Sequence, residues 1–324
     1  MNEPTENQFQ PSKQIVFKDG TVEIPTAPLC TIEQIHEAQR IIEEKYPELA
    51  SILPENHYWR QSKELHEIQT QDNSLDVLEE LGFDPNDPNA RLAMFIGEVH
   101  DLGRIIDGYR NDHDKILPEG YEGLEHHGQF SVRVLENWQA LEGFSPEAQE
   151  IIKFVVEHHA EKDRVELPEN ANDKQKFEYV FNCLFRDLDK LAIFEGKAER
   201  NMYDESERTR QTKVMKGVVG EQNYLGENGT ITDKAMENFQ NEKLNGVKEF
   251  FTYETFCLNT MSFIYDINLV SVLKKVVDSG IINKSLAYFK KQLSDKQYQA
   301  IDSKIHSYLD QRGLKLPEDN SEAS

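Results

Sequence analysis

Cysteine is scarce in this sequence. Cys30, Cys183 and Cys257 lie far apart with no CxxC pair, which excludes a thiolate zinc site and a secreted disulfide framework. Basic charge is also short. Lys and Arg number 36 against 59 Asp and Glu, a formal net charge of −23, so the average surface repels nucleic-acid backbones and anionic membranes. No extended nucleic-acid binding is expected. Nor is there a run of about 18 apolar residues to span a bilayer, and the opening MNEPTENQFQPSKQ lacks the basic-then-apolar pattern of a signal peptide. Together these absences predict a cytoplasmic protein that does not engage a membrane.

What is present is length and helical periodicity. The 324 residues suffice for two average domains, or one large domain with an appendage, at a hydrophobic content of 38%. QIVFKDGTVEI alternates apolar and polar residues across Asp19-Gly20 and predicts a small β-hairpin. TIEQIHEAQRIIEEKYPELASIL then turns helical, with Thr31 and Gln34 fitting a capping box. Further amphipathic segments are predicted at about 58–82, 90–106, 124–142, 146–160 and 174–196, separated by Gly82, Pro85, Pro88, Pro118 and Pro168. The polar, glycine-containing stretch 197–231 reads as a loop or lid. Helical patterns resume at about 232–251, 253–278, 284–292 and 294–312, before a polar tail. The expected organisation is all-α: residues 1–54 as hairpin and first helix, 55–196 as a helical bundle, 197–231 as the loop, and 232–324 as a C-terminal helical extension.

Histidines concentrate in the middle helices. A buried imidazole must satisfy two ring nitrogens, so one in a core is ordinary, whereas one from each of several helices suits a transition metal. FIGEVHDLGRI sets His100 and Asp101 side by side. His100 follows Leu92 and Ile96 at four-residue steps, and Asp101 follows Gly97, which leaves room for the carboxylate. In EHHGQFSVRVLENWQAL, His127 shares a face with Ser131, Val134, Trp138 and Leu141. His66 continues Trp59 and Ser62. In EIIKFVVEHHA, periodicity does not choose between His158 and His159; in FRDLDKL it does not choose between Asp187 and Asp189. His66, His100, His127, His158 and Asp189 follow one another at intervals of 34, 27, 31 and 31 residues, about one per helix. Inward nitrogen and oxygen ligands from separate helices are how a bundle holds one or two metal ions.

VHDLGR, HHGQFS, EHH and DLDKL, in this order, resemble the HD-domain superfamily of metal-dependent phosphohydrolases over about residues 55–195. The resemblance implies an HD-domain helical bundle in which His66, His100, Asp101 and Asp189 hold one metal. His127 and His158, with His159 as a further candidate, would hold a second. It favours Asp189 over Asp187. The GYP extension of one HD subgroup is absent after the HH pair, where AEKDRVELPEN stands instead.

The expected activity is therefore hydrolysis of a phosphomonoester or phosphodiester, in a nucleotide or another small phosphorylated molecule, by a metal-activated hydroxide. The expected cofactors are two divalent ions (Mn, Fe, Co, Ni or Mg), about 3.5–4 Å apart and bridged by Asp101. Arg104, one turn after His100, and Lys190, beside Asp189, are candidate phosphate contacts; a surface salt bridge is the alternative for both, and it accounts for Lys190 at least as well. His113, in RNDHDKILPEG, is either a proton donor or an exposed loop residue. The same ligand types also serve HD-fold di-iron oxygenases, and a non-catalytic nucleotide sensor is a third reading. Residues 232–312 carry no chemical motif and read as a packing or oligomerisation layer, which allows a homo-oligomer.

Overall fold

The structure is a computed structural model that describes residues 12–55, 57, 70, 73–113, 116–159, 161, 165–199, 203–206, 208–209, 211–212, 216, 224, 230–245 and 252–317. The described chain is all-α apart from one hairpin, and it divides into two compact units, residues 1–188 and 189–324.

The first unit opens with the hairpin of β1 (Ser12–Phe17) and β2 (Gly20–Pro25), paired antiparallel with Ile15 opposite Val22. Alternation puts Ile15, Phe17, Val22 and Ile24 on its buried face. Helix α1 (Ile32–Ala50) begins at the expected capping box: the Gln34 amide donates to Thr31 Oγ1 at 3.3 Å and the Thr31 amide to Gln34 Oε1 at 2.8 Å. Most of the predicted segment 58–82 lies outside the described residues; 73–80 is helical. Helix α2 (Pro88–Val99) starts on an Asp87 cap with Pro88 in its first turn, where a missing N–H costs nothing. Then come α3 (Arg104–Asp112), α4 (His127–Asn137) and α5 (Pro146–His158), the last capped by Ser145. Helix α6 (Asp173–Glu199) begins in this unit and ends in the next. Leu92, Ile96, Val99, Ile105, Phe130, Val134, Ile151 and Val155 are fully buried and make the core on which the site is built.

The single helix expected at 90–106 is in fact two, with a turn at residues 100–103. Apolar periodicity continues through Ile105 and Ile106, so sequence pattern alone runs across the break.

The second unit comprises α7 (Asp233–Gln240), α8 (Tyr253–Ser262), a 3₁₀ turn at Phe263–Tyr265, α9 (Val270–Asp278), α10 (Ile281–Gln292) and α11 (Asp295–Asp310). The helix predicted over 253–278 is broken after Tyr265. There the Asn268 side chain donates to the Asp266 carbonyl at 3.0 Å, a local bond that competes with helix continuation. Within the predicted loop, α6 extends to Glu199 and residues 205, 206, 208, 209, 211 and 212 are helical. Tyr203 stacks on Tyr288 of α10 at 4.7 Å between ring centroids and shares a hydrogen bond with Ser285. No helix among the described residues is long and apolar enough to cross a membrane.

Candidate metal centre

The site is built on the turn between α2 and α3. Its backbone presses against the first turn of α4. A Cβ on Gly103 would sit 2.1 Å from the His127 carbonyl oxygen and 2.6 Å from Phe130 Cβ, so only glycine permits the approach. Gly128 does the same for the next pair of helices, since a Cβ there would lie 2.4 Å from the Glu157 carbonyl oxygen of α5. These two contacts bring His127, at the start of α4, close to the end of α5. The space at Gly97 faces Phe185 and Ser74, each 3.3 Å from a virtual Cβ. The expectation that Gly97 makes room for Asp101 is thereby corrected: with the helix ending at Val99, Asp101 no longer continues the face on which Gly97 lies.

Ring orientation follows from the hydrogen bonds on the outer nitrogens. His100 Nδ1 lies 2.6 Å from the Gly97 carbonyl oxygen, and His159 Nδ1 lies 2.6 Å from that of Val156. A carbonyl can only accept, so both Nδ1 atoms carry the proton and both Nε2 atoms present lone pairs inward. His127 Nε2 is 3.2 Å from His159 Nε2. Asp101 Oδ1 lies 3.3 Å from His127 Nε2 and 3.4 Å from His159 Nε2, and Oδ2 lies 3.8 Å from His100 Nε2. Donor atoms of His100, Asp101 and His159 all fall within 4.8 Å of one another, and all three residues are buried. Converging imidazole lone pairs and a carboxylate form a set of donors that a divalent cation would satisfy.

Charge reinforces the arrangement. Burial alone would raise the Asp101 carboxyl, but the positive charge facing it, that of the Arg104 guanidinium foremost, holds it well below the usual range. Arg104 Nε donates to Asp101 Oδ1 at 3.2 Å. Asp107 lies one turn further along α3. Burial raises its carboxyl above the ordinary value against the opposing pull of Arg110 and Arg104, and Asp107 Oδ1 lies 2.5 Å from Arg110 Nη2. Its Oδ2 lies 3.8 Å from His127 Nδ1, on the outer edge of that ring.

The structure sorts the residues nominated from sequence. His100, Asp101, His127 and His159 come together, with Arg104 on Asp101. His158 does not join them. Its Nδ1 donates to the Phe154 carbonyl at 2.8 Å, its ring stacks on Phe154, and its Nε2 faces Glu161 Oε1 at 3.8 Å. His66 lies outside the described residues. Asp187 is fully buried in the first unit, whereas Asp189 is partly exposed and belongs to the second. Lys190 is not on the surface: its ammonium pairs with Asp266 Oδ2 at 2.8 Å inside the second unit. His113 is exposed and stacked on Tyr109 at 3.9 Å.

Three supporting residues escape a reading of the sequence. Asp107 carries a signal, a carboxylate directly after the buried pair Ile105 and Ile106. Ser131 falls on the His127 face with no role evident, yet it hydrogen-bonds the turn holding Asp101. Arg186 is almost fully buried and donates through Nη1 to the carbonyls of Glu161 at 2.5 Å and His159 at 3.5 Å. A cation at a helix C-terminus is favourable, and here it holds the backbone at His159. Its sequence neighbours give no hint of that long-range contact.

This all-α unit, in which an adjacent His-Asp meets histidines from two further helices, coincides with a family-model match: residues 66–194 match the model of the HD domain. The match opens at His66 and takes in α2 to α5 and most of α6. No curated protein and no solved structure matches the chain.

Proposed function

We propose that this protein is a metal-dependent phosphohydrolase that cleaves a phosphomonoester or phosphodiester of a nucleotide or another small phosphorylated molecule. The convergence of His100, Asp101, His127 and His159 on one buried point, within an HD domain, supports this reading above all. In this reading His66, His100, Asp101 and Asp189 would hold one divalent ion, and His127 and His159 would hold a second. Asp101 points Oδ1 toward His127 and His159 and Oδ2 toward His100. Bound divalent ions supply Lewis-acid charge that lowers the pKa of water and offsets the charge of the phosphate.

The chain's own groups have separate tasks. The carbonyls of Gly97 and Val156 hold the Nδ1 protons of His100 and His159, which keeps their Nε2 atoms available. Asp107 steadies His127 from behind. Arg104, whose Nε donates to Asp101, would bring its positive charge beside the phosphate. Hydrolysis adds the water oxygen to phosphorus, breaks the phosphorus–oxygen ester bond and returns a proton to the leaving oxygen.

Elemental analysis of gently purified protein, followed by phosphate-release assays with Mn²⁺, Co²⁺ or Mg²⁺ on nucleotides and simple phosphate esters, tests the proposal. We expect bound divalent metal and metal-dependent phosphate release. Two irons with an oxygen-dependent product would replace the hydrolase with an oxygenase, and tight nucleotide binding without turnover would replace it with a sensor. Loss of a supporting group around a metal ligand costs roughly 10–100-fold in affinity. Asp101→Ala, His127→Ala and His159→Ala should therefore each cost more than about 100-fold in metal affinity and activity. His158→Ala should hold its metal like the parent protein. Full metal content and activity in Asp101→Ala and His127→Ala would show that the site is wrong.

A further inference from the structure

We infer that Ser131 is a positioning residue for the His-Asp turn, its hydroxyl fixing the backbone on both sides of Asp101. The consequence for metal binding rests on the reading proposed above; the backbone geometry does not.

In an uninterrupted helix the His100 carbonyl would accept from the Arg104 amide, and the Gly103 amide would donate to the Val99 carbonyl. Neither arrangement holds at the break. The Arg104 amide donates to the Asp101 carbonyl at 2.9 Å, and the Val99 carbonyl takes the Leu102 amide at 3.3 Å. His100 O and Gly103 N–H therefore need other partners, and both are buried. One hydroxyl serves both. Ser131 Oγ accepts from the Gly103 amide at 2.7 Å and donates to His100 O at 2.7 Å. His127 O, at 3.0 Å from the same oxygen, is the usual back-bonding carbonyl four residues earlier in the helix. A hydroxyl has one proton, and the shorter contact goes to His100. Asp101 is thus pinned from both flanks by a side chain of the helix that carries His127.

The approach that makes both bonds possible is close. A Cβ on Gly103 would lie 2.6 Å from the Ser131 amide nitrogen, so turn and helix touch backbone to backbone. Alanine fits but offers neither acceptor nor donor.

The test compares full-length protein with Ser131→Ala in two measurements. In metal-free protein we expect the Gly103 amide to exchange with deuterium at least 10-fold faster in the variant, while the Leu135 amide of α4 keeps its parental rate. With Co²⁺ as probe we expect the dissociation constant to rise 10–100-fold, the range typical of supporting groups around a metal, together with a changed visible spectrum. Accelerated Gly103 exchange with an unchanged Co²⁺ constant and spectrum would reduce Ser131 to a purely structural residue and overturn the inference. Unchanged Gly103 exchange would overturn the clamp itself. A parent protein that takes up no Co²⁺ counts against the metal-centre reading, and Gly103 exchange then decides the clamp alone. Should Ser131→Ala not fold, the parent protein decides: Gly103 exchange as slow as that of Leu135 supports the clamp, and exchange at the rate of an open turn overturns it.

Discussion

Gly97 lies four residues before Asp101 and Gly103 two residues after it, and their surroundings differ. At Gly103 an added Cβ meets backbone at 2.1 Å; at Gly97 it meets the ends of Phe185 and Ser74 side chains at 3.3 Å. Side chains can shift by tenths of an ångström, whereas the carbonyl of His127 is fixed by its helix. Gly103→Ala should therefore destabilise the protein by about 1–3 kcal/mol or more, as overpacking in a core does, with Gly97→Ala clearly milder. Urea unfolding of the two variants checks the order. His159 shows a related lesson. His158 and His159 both extend apolar rows in sequence, and only the end of α5, held by Arg186 and opposed by Gly128, makes His159 the inward one.

Helix starts in this protein follow local rules. Ser145 Oγ accepts from the Ala148 amide at 3.2 Å, with Pro146 next to it, so the start of α5 is written in four residues. Ser145→Ala should cost about 1 kcal/mol, measured as a shift in the denaturation midpoint, and should leave metal binding intact because the cap lies at the opposite end of α5 from His159. The capping box of α1 and the existence of the hairpin were legible for the same reason, each depending on residues within a few positions; the turn itself falls one residue earlier than Asp19-Gly20, with Phe17 opposite Gly20. The break at residues 100–103 was not legible. Its cause is a serine 28 residues beyond Gly103 and the close approach of α4, neither of which leaves a periodic trace.

Across the whole molecule, the cysteines behave as core. Burial pushes the Cys30 thiol and the Cys257 thiol each up to about 12, and Cys183 has no exposed surface. A thiol reagent at pH 8 should label native protein at far less than one equivalent, and all three cysteines once the chain is unfolded. Rapid native labelling would contradict the burial described. Against the formal net charge of −23, Arg104 and Arg110 place positive charge at the site, paired with Asp101 and Asp107.

By itself the sequence determined the all-α class, the hairpin, the caps and the His-Asp motif, because these rest on periodicity and on contacts a few residues long. Tertiary structure alone decided that the helix ends before Asp101, that His159 faces inward instead of His158, and that Lys190 is buried against Asp266. Each of those outcomes depends on groups distant in the chain meeting in space: Ser131 with Gly103, Gly128 with Glu157, Arg186 with the end of α5. Hydrophobic periodicity records which face of a helix is buried, but it carries no record of which carbonyl, hydroxyl or guanidinium waits on the other side.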